Sequence, residues 1–249
     1  MKEQDFQDYF YSSEEERIID SLIIQQVRQN IADFLGSNFR DLQKSKVLSL
    51  GCGTGNFEIM VAPLVKEIVG MDFSAVAIQK AQERAQEKGL QNIDFLVGDA
   101  LKMEAAGKPF DAVLAIGFFH HLNDLEIMQV LNKCREALNP GGLLISIDPS
   151  KDRFINKFKW IFSYKYEKYH SPKEREMDLH SFLEAFSAAG FEQTAVEFID
   201  FFMIPVGWVF PACPGILVKF FNKINNVLLK VEVLKTQASS FLLVGRKPQ

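Results

Sequence analysis

Apolar residues along this chain fall into two textures. Short unbroken runs closed by glycine or an acid read as buried strands; stretches with an apolar residue every third or fourth position read as helices. Val47, Leu48 and Leu50 form the first run, which stops at Gly51, Gly53 and Gly55. Ile68-Val69-Gly70-Met71 ends in Asp72, and Ile93-Asp94-Phe95-Leu96-Val97-Gly98 ends in Asp99-Ala100. Between the runs, helices are predicted from Phe57 to Val65 and from Ala75 to Lys88, the latter capped by Ser74 and closed by Gly89. Asn123 with Glu126 fits a capping box, followed by an inward stripe of Ile127, Val130, Leu131, Cys134 and Leu138. This alternation through Asp148 predicts a parallel sheet with both faces covered. Further on, Leu179, Phe182, Leu183 and Phe186 mark a helix ended by Gly190, and Phe191–Ile199 and Ser239–Gly245 are the expected last two strands.

Ahead of this core, Ser13 and Glu16 fit a capping box for one helix carrying Ile18, Leu22, Ile23, Val27, Ile31 and Leu35. The aromatics that precede it, Phe6, Tyr9, Phe10 and Tyr11, suit either core packing or a lid. In the second half, Phe201–Val218 runs eighteen residues without a charge. That length meets the threshold for a membrane-spanning helix. Pro205, Pro211 and Pro214, with Gly207 and Gly215, would break its backbone bonding in lipid. The stretch is therefore expected to be a hydrophobic lid or an in-plane membrane contact, followed by Lys219, Lys223 and Lys230 among apolar residues. Residues 151–175 carry eight basic residues against three acids, interleaved with Phe154, Phe158, Trp160, Tyr164, Tyr166 and Tyr169.

The 249 residues, 47% of them hydrophobic, are enough for one domain with a sizeable core. Residues 1–40 would form an N-terminal helical segment and 41–150 the core, with insertions at 151–175 and 201–236. Three cysteines, Cys52, Cys134 and Cys213, lack metal-ligand spacing and give no disulfide framework, so no metal site is expected. The first residues have no apolar signal region, and a cytoplasmic location is expected. The net charge of −4 is uneven: residues 1–150 hold 14 Lys+Arg against 22 Asp+Glu, and residues 151–249 hold 14 against 10. An acidic first half excludes broad nucleic-acid binding.

The candidate chemistry starts at Gly51-Cys52-Gly53-Thr54-Gly55. Strand, glycine turn and helix in succession build a nucleotide cleft in open α/β sheets. The spacing is G-x-G-x-G, one residue short of the dinucleotide fingerprint, and the Gly-Lys-Ser/Thr of a P-loop is absent. Asp72, nineteen positions after Gly53, is placed at a strand tip where a carboxylate accepts from two ribose hydroxyls. Asp99-Ala100 adds a carboxylate and a backbone N–H beside the same cleft.

Over about residues 40 to 148 the chain resembles, motif by motif, the class I, Rossmann-like S-adenosylmethionine-dependent methyltransferases. The resemblance implies an α/β three-layer sandwich with a mostly parallel seven-stranded sheet and helical insertions in the C-terminal half. It implies S-adenosyl-L-methionine as cofactor, with Gly51, Cys52, Gly53 and Gly55 around its methionine end. Asp72 would bind ribose, Phe73 stack on adenine, and Asp99 and Ala100 read the adenine edge. Phe110–Gly117 resembles the fourth strand, with Ile116 and Gly117 beside the cofactor, and Asn139–Ile145 the turn into the fifth. One position departs from the pattern: Ser49 stands where the family usually has an acid that helps hold the cofactor's amino group, leaving that contact weaker or to water.

Methyl transfer to an alcohol or phenol also needs a base, and histidine suits that task near neutral pH. His120 and His121 follow Gly117-Phe118-Phe119, where this family places the methyl group; His121 is put slightly ahead, with buttressing as the other reading. Asp148 and His170 are further candidates. The implied function is methylation, at oxygen or carbon, of a small-molecule or lipid-like acceptor, with peripheral membrane contact through 151–175 and 201–236. Two alternatives remain. A non-catalytic cofactor-binding partner of another methyltransferase is opposed by the histidine loop and insertions. A nicotinamide-dependent oxidoreductase is opposed by the glycine spacing and Asp99.

Overall fold

The computed structural model describes residues 3–13, 18–103, 109–158, 171 and 173–249. Its centre is one sheet of seven strands in the order β3-β2-β1-β4-β5-β7-β6. These are β1 (Lys46–Leu50), β2 (Glu67–Asp72), β3 (Ile93–Val97), β4 (Phe110–Ile116), β5 (Leu138–Pro149), β6 (Glu192–Asp200) and β7 (Ser240–Arg246). The first five pair in parallel, and β7 runs antiparallel between β5 and β6. The order reverses between β1 and β4, so the connections leaving their carboxyl ends go opposite ways and open a crevice.

Side chains of β1 alternate between two cores, which is why its sequence reads as continuously apolar. Val47 joins the core on one face, with helices α2 (Leu22–Asn38), α3 (Asn56–Val61) and α4 (Ala75–Glu87). Leu48 and Leu50 join the other, with α5 (Asp124–Ala137) and α6 (Leu179–Ala188). The caps behave as their residues dictate. Ser74 Oγ accepts from Ala77 N, and Asn123 and Glu126 form a reciprocal capping box.

The N-terminal segment differs from expectation. Phe6, Phe10 and Tyr11 lie in a helix of their own, α1 (Glu3–Ser12), and α2 begins only at Leu22. Ser13 ends α1 by donating to the Phe10 carbonyl; its expected partner Glu16 lies outside the described residues. Asp20, between the two helices, accepts from Asn56 Nδ2 at 2.7 Å and Arg84 Nη2 at 2.9 Å, which ties the link to α3 and α4.

The uncharged stretch is also two helices, α7 (Met203–Val209) and α8 (Gly215–Leu228). Pro214 caps α8, and buried Asp200 caps α7 by accepting from Met203 N at 2.9 Å and Ile204 N at 3.0 Å. Among the described residues no helix is long and apolar enough to cross a membrane. Much of the aromatic-basic segment of 151–175, including Trp160, Tyr164, Tyr166, Tyr169 and His170, lies outside the described residues.

Helix α7 reaches the sheet region by packing on α2 at Gly207. A Cβ there would stand 2.7 Å from Ile23 Cγ2 and 2.8 Å from Ile24 Cδ1, both in the core. Gly207→Val should therefore overpack this contact and lower stability by about 1–3 kcal/mol. Urea unfolding checks this; an unchanged midpoint would mean that α7 does not depend on the contact.

Candidate active site

The crevice at β1 and β4 is shaped by a turn that only glycine backbones accommodate. Gly51 and Gly53 have φ of +66° and +51°. A Cβ on Gly51 would stand 2.6 Å from Phe118, and one on Gly53 2.7 Å from the Tyr11 hydroxyl. The turn is fixed from the next strand: Asp72 accepts from Gly53 N through Oδ2 and from Ser74 N through Oδ1, each at 2.9 Å.

Helix α1 lies over this end of the sheet. Its Gln4 donates to the Phe73 carbonyl, its Asp8 accepts from Ser74 Oγ, and Lys80 donates to the Tyr11 carbonyl. Phe10 meets Trp208 of α7 with ring centroids 6.5 Å apart. Under this roof is a cavity of about 550 Å³, lined by the glycine turn, Ile116, Gly117, both histidines and Asp148, and by Tyr11, Ile204 and Trp208.

The two adjacent histidines have different partners. His120 Nδ1 stands 3.1 Å from Asp148 Oδ1, which also accepts the His120 backbone N–H; Asp148 Oδ2 accepts from Ser146 Oγ at 2.6 Å. Burial pushes the Asp148 carboxyl up to about 7. Burial, then the charges of His121 and Arg153, holds His120 well below the ordinary imidazole value. A neutral His120 that donates from Nδ1 to Asp148 keeps a lone pair on Nε2, the tautomer a base requires.

His121 Nδ1 instead stands 3.2 Å from Glu3 Oε1 of α1 and 4.0 Å from Glu174 Oε1. Burial opposes its charged form, but the Glu3 hydrogen bond and the Glu174 charge outweigh it and raise its pKa. Burial likewise opposes ionisation of Glu3 and is outweighed by its hydrogen bonds, first among them that with His121, so its pKa falls. The pair is a charged latch between roof and histidine loop.

The expected cofactor residues divide into two groups. Gly51, Cys52, Gly53, Ile116 and Gly117 line the cavity. The Cys52 thiol is raised by burial and by the Glu58 and Asp72 charges, which keeps it protonated. Gly55 sits behind the turn, where a Cβ would meet Phe95 and Ala81, so its role is the close approach of α3 and α4. Asp72, Phe73, Asp99 and Ala100 stand at the ends of β2 and β3, outside the cavity lining, with Asp72 touching the turn through Gly53. Asp99 accepts from Leu101 N at 2.9 Å and pairs with Lys102 at 3.2 Å.

Two polar lining residues escaped the sequence reading. Glu58, in α3, has a side chain only 2% exposed; Oε1 accepts from Ser49 Oγ at 2.7 Å and Oε2 has no hydrogen-bond partner. Burial pushes its carboxyl up to about 7. Arg28 of α2 is nearby and donates to the Ile19 carbonyl at 2.7 Å. The available signal was a charge inside an apolar stripe: Arg28 shares a helical face with Ile24, Val27 and Ile31, and Glu58 lies between Phe57 and Ile59.

Residues 47–142 match the model of a methyltransferase domain. Over that span the chain is similar to the class I S-adenosylmethionine-dependent methyltransferases. A ubiquinone biosynthesis O-methyltransferase of Azorhizobium caulinodans is 28% identical over 170 residues, covering 63% of this chain and 62% of that protein. A demethylmenaquinone methyltransferase of Listeria welshimeri serovar 6b is 33% identical over 122 residues, 48% of this chain and 50% of that one. The chain thus spans about half to three-fifths of the length of these curated relatives. Among solved structures, magnesium protoporphyrin IX methyltransferase from Synechocystis PCC 6803 with bound SAH superposes with a TM-score of 0.67 at 16% identity. That match covers 99% of this chain and 100% of the other. It is a likeness of fold.

The latch gives the roof over the cavity a pH window. His121 is raised above 6.5, so its contribution is complete below 6.5 and is lost as pH rises through the folded value. Glu3 is lowered below 4.5, so its contribution is present above 4.5 and is lost as pH falls through its folded value. Hydrogen-exchange protection of α1, corrected for intrinsic rates, should be greatest between these limits and decline towards alkaline pH. His121→Ala should flatten that alkaline decline; a decline that persists in the variant would assign it to another group.

Proposed function

We propose that this protein transfers a methyl group from S-adenosylmethionine to a hydroxyl oxygen of a small, apolar, quinone-type or lipid-like acceptor. The observation that carries this reading is the His120–Asp148 pair, which lines the same cavity as the glycine turn. The cavity suits the cofactor: Gly51 and Gly53 bring bare backbone to its wall, and Glu58 leaves a carboxylate oxygen unpartnered. The O-methyltransferase activity named for the ubiquinone-biosynthesis relative agrees with a phenolic acceptor, for which a base is needed.

When bound, the cofactor supplies a methyl group on a positively charged sulfur, which is already a strong electrophile. The residues of this chain have the remaining tasks. Tyr11, Phe10 and Trp208 close the cavity and exclude water, which aligns donor and acceptor at near-attack distance. His120 Nε2 takes the acceptor's hydroxyl proton, and Asp148 holds the ring in the tautomer that can do so. His121, although favoured by its position in the loop, is occupied with Glu3, so we assign the base to His120 and the roof latch to His121. Residues 151–175 and 201–236 are then the acceptor-side decorations of one methyltransferase domain.

The test combines calorimetry with S-adenosylhomocysteine and turnover on short-chain ubiquinol- and menaquinol-type phenols. His120→Ala should lower kcat by about 10²–10⁴-fold while leaving cofactor affinity nearly unchanged. His121→Ala should cost less in kcat. Undiminished turnover in His120→Ala would reduce that residue to packing, and a wild type that fails to bind S-adenosylhomocysteine would overturn the reading.

The outer face of α8 supports acceptor delivery from an anionic lipid surface. Ile216 is 79% exposed, Phe220 55% and Val227 63%, on a helix of 14 residues that also carries exposed Lys219 and Lys223. Phe201–Val231 contains no acid, so nothing there repels anionic headgroups. The preceding helix α7 lines the cavity through Ile204, Pro205 and Trp208, placing this face beside the acceptor end. Apolar burial contributes roughly 25 cal/mol per Å², and each lysine near the surface about 1 kcal/mol. The protein should float with anionic but not neutral vesicles, less so at high salt. Ile216→Ser/Phe220→Ser and Lys219→Glu/Lys223→Glu should each abolish flotation; a wild type that never floats would leave α8 as a cover over a soluble acceptor.

A further inference from the structure

The unexplained group in the cavity is Glu58. A carboxylate on the buried side of a helix is costly unless both oxygens have partners. Here Ser49 Oγ serves Oε1 at 2.7 Å, while Oε2 is buried and unpartnered. Among the described residues no cation hydrogen-bonds to it: Arg28, in the same cavity, acts on Glu58 through its charge and directs Nη1 to the Ile19 carbonyl. The chain has thus kept, beside the glycine turn, a buried carboxyl group that its own residues leave half satisfied and whose ionisation burial opposes.

The place of that carboxyl group is informative. Ser49 is in β1, two residues before Gly51, where an acid would have entered the crevice from the strand. The side chain that fills this space comes from the opposite direction, out of α3, and meets the serine hydroxyl. The carboxyl group therefore stands beside the turn on α3 rather than on the strand. A cation that donates hydrogen bonds is the ligand such an oxygen selects, and Arg28 nearby offers a positive charge to an accompanying anion. A ligand end with both an ammonium and a carboxylate meets both requirements.

We propose that Glu58 holds the α-ammonium of the cofactor's methionine end, taking from α3 the role that an acid at position 49 would have had. This rests on the cofactor assignment above and goes further by naming the group that reads the amino function. Two consequences follow from the geometry. Recognition of the amino group depends on the Ser49–Glu58 pair as a unit, and returning the acid to the strand while removing it from the helix should preserve that recognition.

The experiment is calorimetric, with S-adenosylhomocysteine and its deaminated analogue, which retains the carboxylate and lacks the amine. Wild type should favour S-adenosylhomocysteine by at least about tenfold, the scale of one charge-assisted contact. In Glu58→Gln this preference should collapse to within about twofold, through loss of affinity for the aminated ligand alone. Ser49→Asp/Glu58→Thr should recover the preference, and it carries the test if Glu58→Gln fails to fold in circular dichroism. A preference that survives unchanged in Glu58→Gln, or that is missing in the exchanged variant, would overturn the inference while leaving cofactor binding intact. If wild type binds neither ligand, the cofactor assignment itself falls, and the inference with it.

Discussion

The carboxylate of Asp72 is the tie on which the rest of the site depends. It joins the end of β2 to the glycine turn through Gly53 N and to the start of α4 through Ser74 N, both at 2.9 Å. The turn has little stiffness of its own, since left-handed glycines are the freest residues in an unfolded chain. Two charge-assisted bonds from a buried acid replace that missing stiffness. Everything that opens into the cavity is placed relative to this turn. The roof helix α1 leans on Ser74 and Phe73, and α3 starts directly behind Gly55.

A second constraint is the low polarity of the space beneath α1, which gives two neighbouring histidines opposite characters. His120 faces a carboxyl that burial also discourages from ionising, and the pair is stable as neutral imidazole beside its acceptor. His121, one residue on, meets Glu3 and Glu174 and is drawn towards the charged form. The difference arises from which elements arrive to face each ring: β5 for one, α1 and the segment before α6 for the other. A base is useful only while it keeps its lone pair, and a latch only while it keeps its charge.

The same logic separates the two apolar surfaces of the second half. Helix α7 spends its apolar residues inward, against α2 and the cavity, with Met203 and Gly207 fully covered. Helix α8 buries Val218 and Asn225 and leaves Ile216, Phe220 and Val227 outside. Helix α7 lies within the uncharged stretch and α8 begins in it, and the break at Pro211–Pro214 lets the two helices turn different faces to the protein.

By itself the sequence determined what depends on neighbours along the chain: the strand runs, the Ser74 and Asn123 caps, the glycine turn and the acids at strand ends. These follow from local sterics, periodicity and hydrogen-bond geometry within a few residues, and the alternation of elements then limits the sheet to few topologies. The tertiary structure alone decided which partner each polar side chain meets. Glu58 acquired its role only when β1 placed Ser49 against it, and Arg28 only when the cavity formed around it. The aromatics of α1 became a roof because α1 is tied to Phe73, Ser74 and Lys80, contacts between residues far apart in sequence. Electrostatic character depends on burial and on groups far away in sequence, and neither exists until the chain has closed on itself.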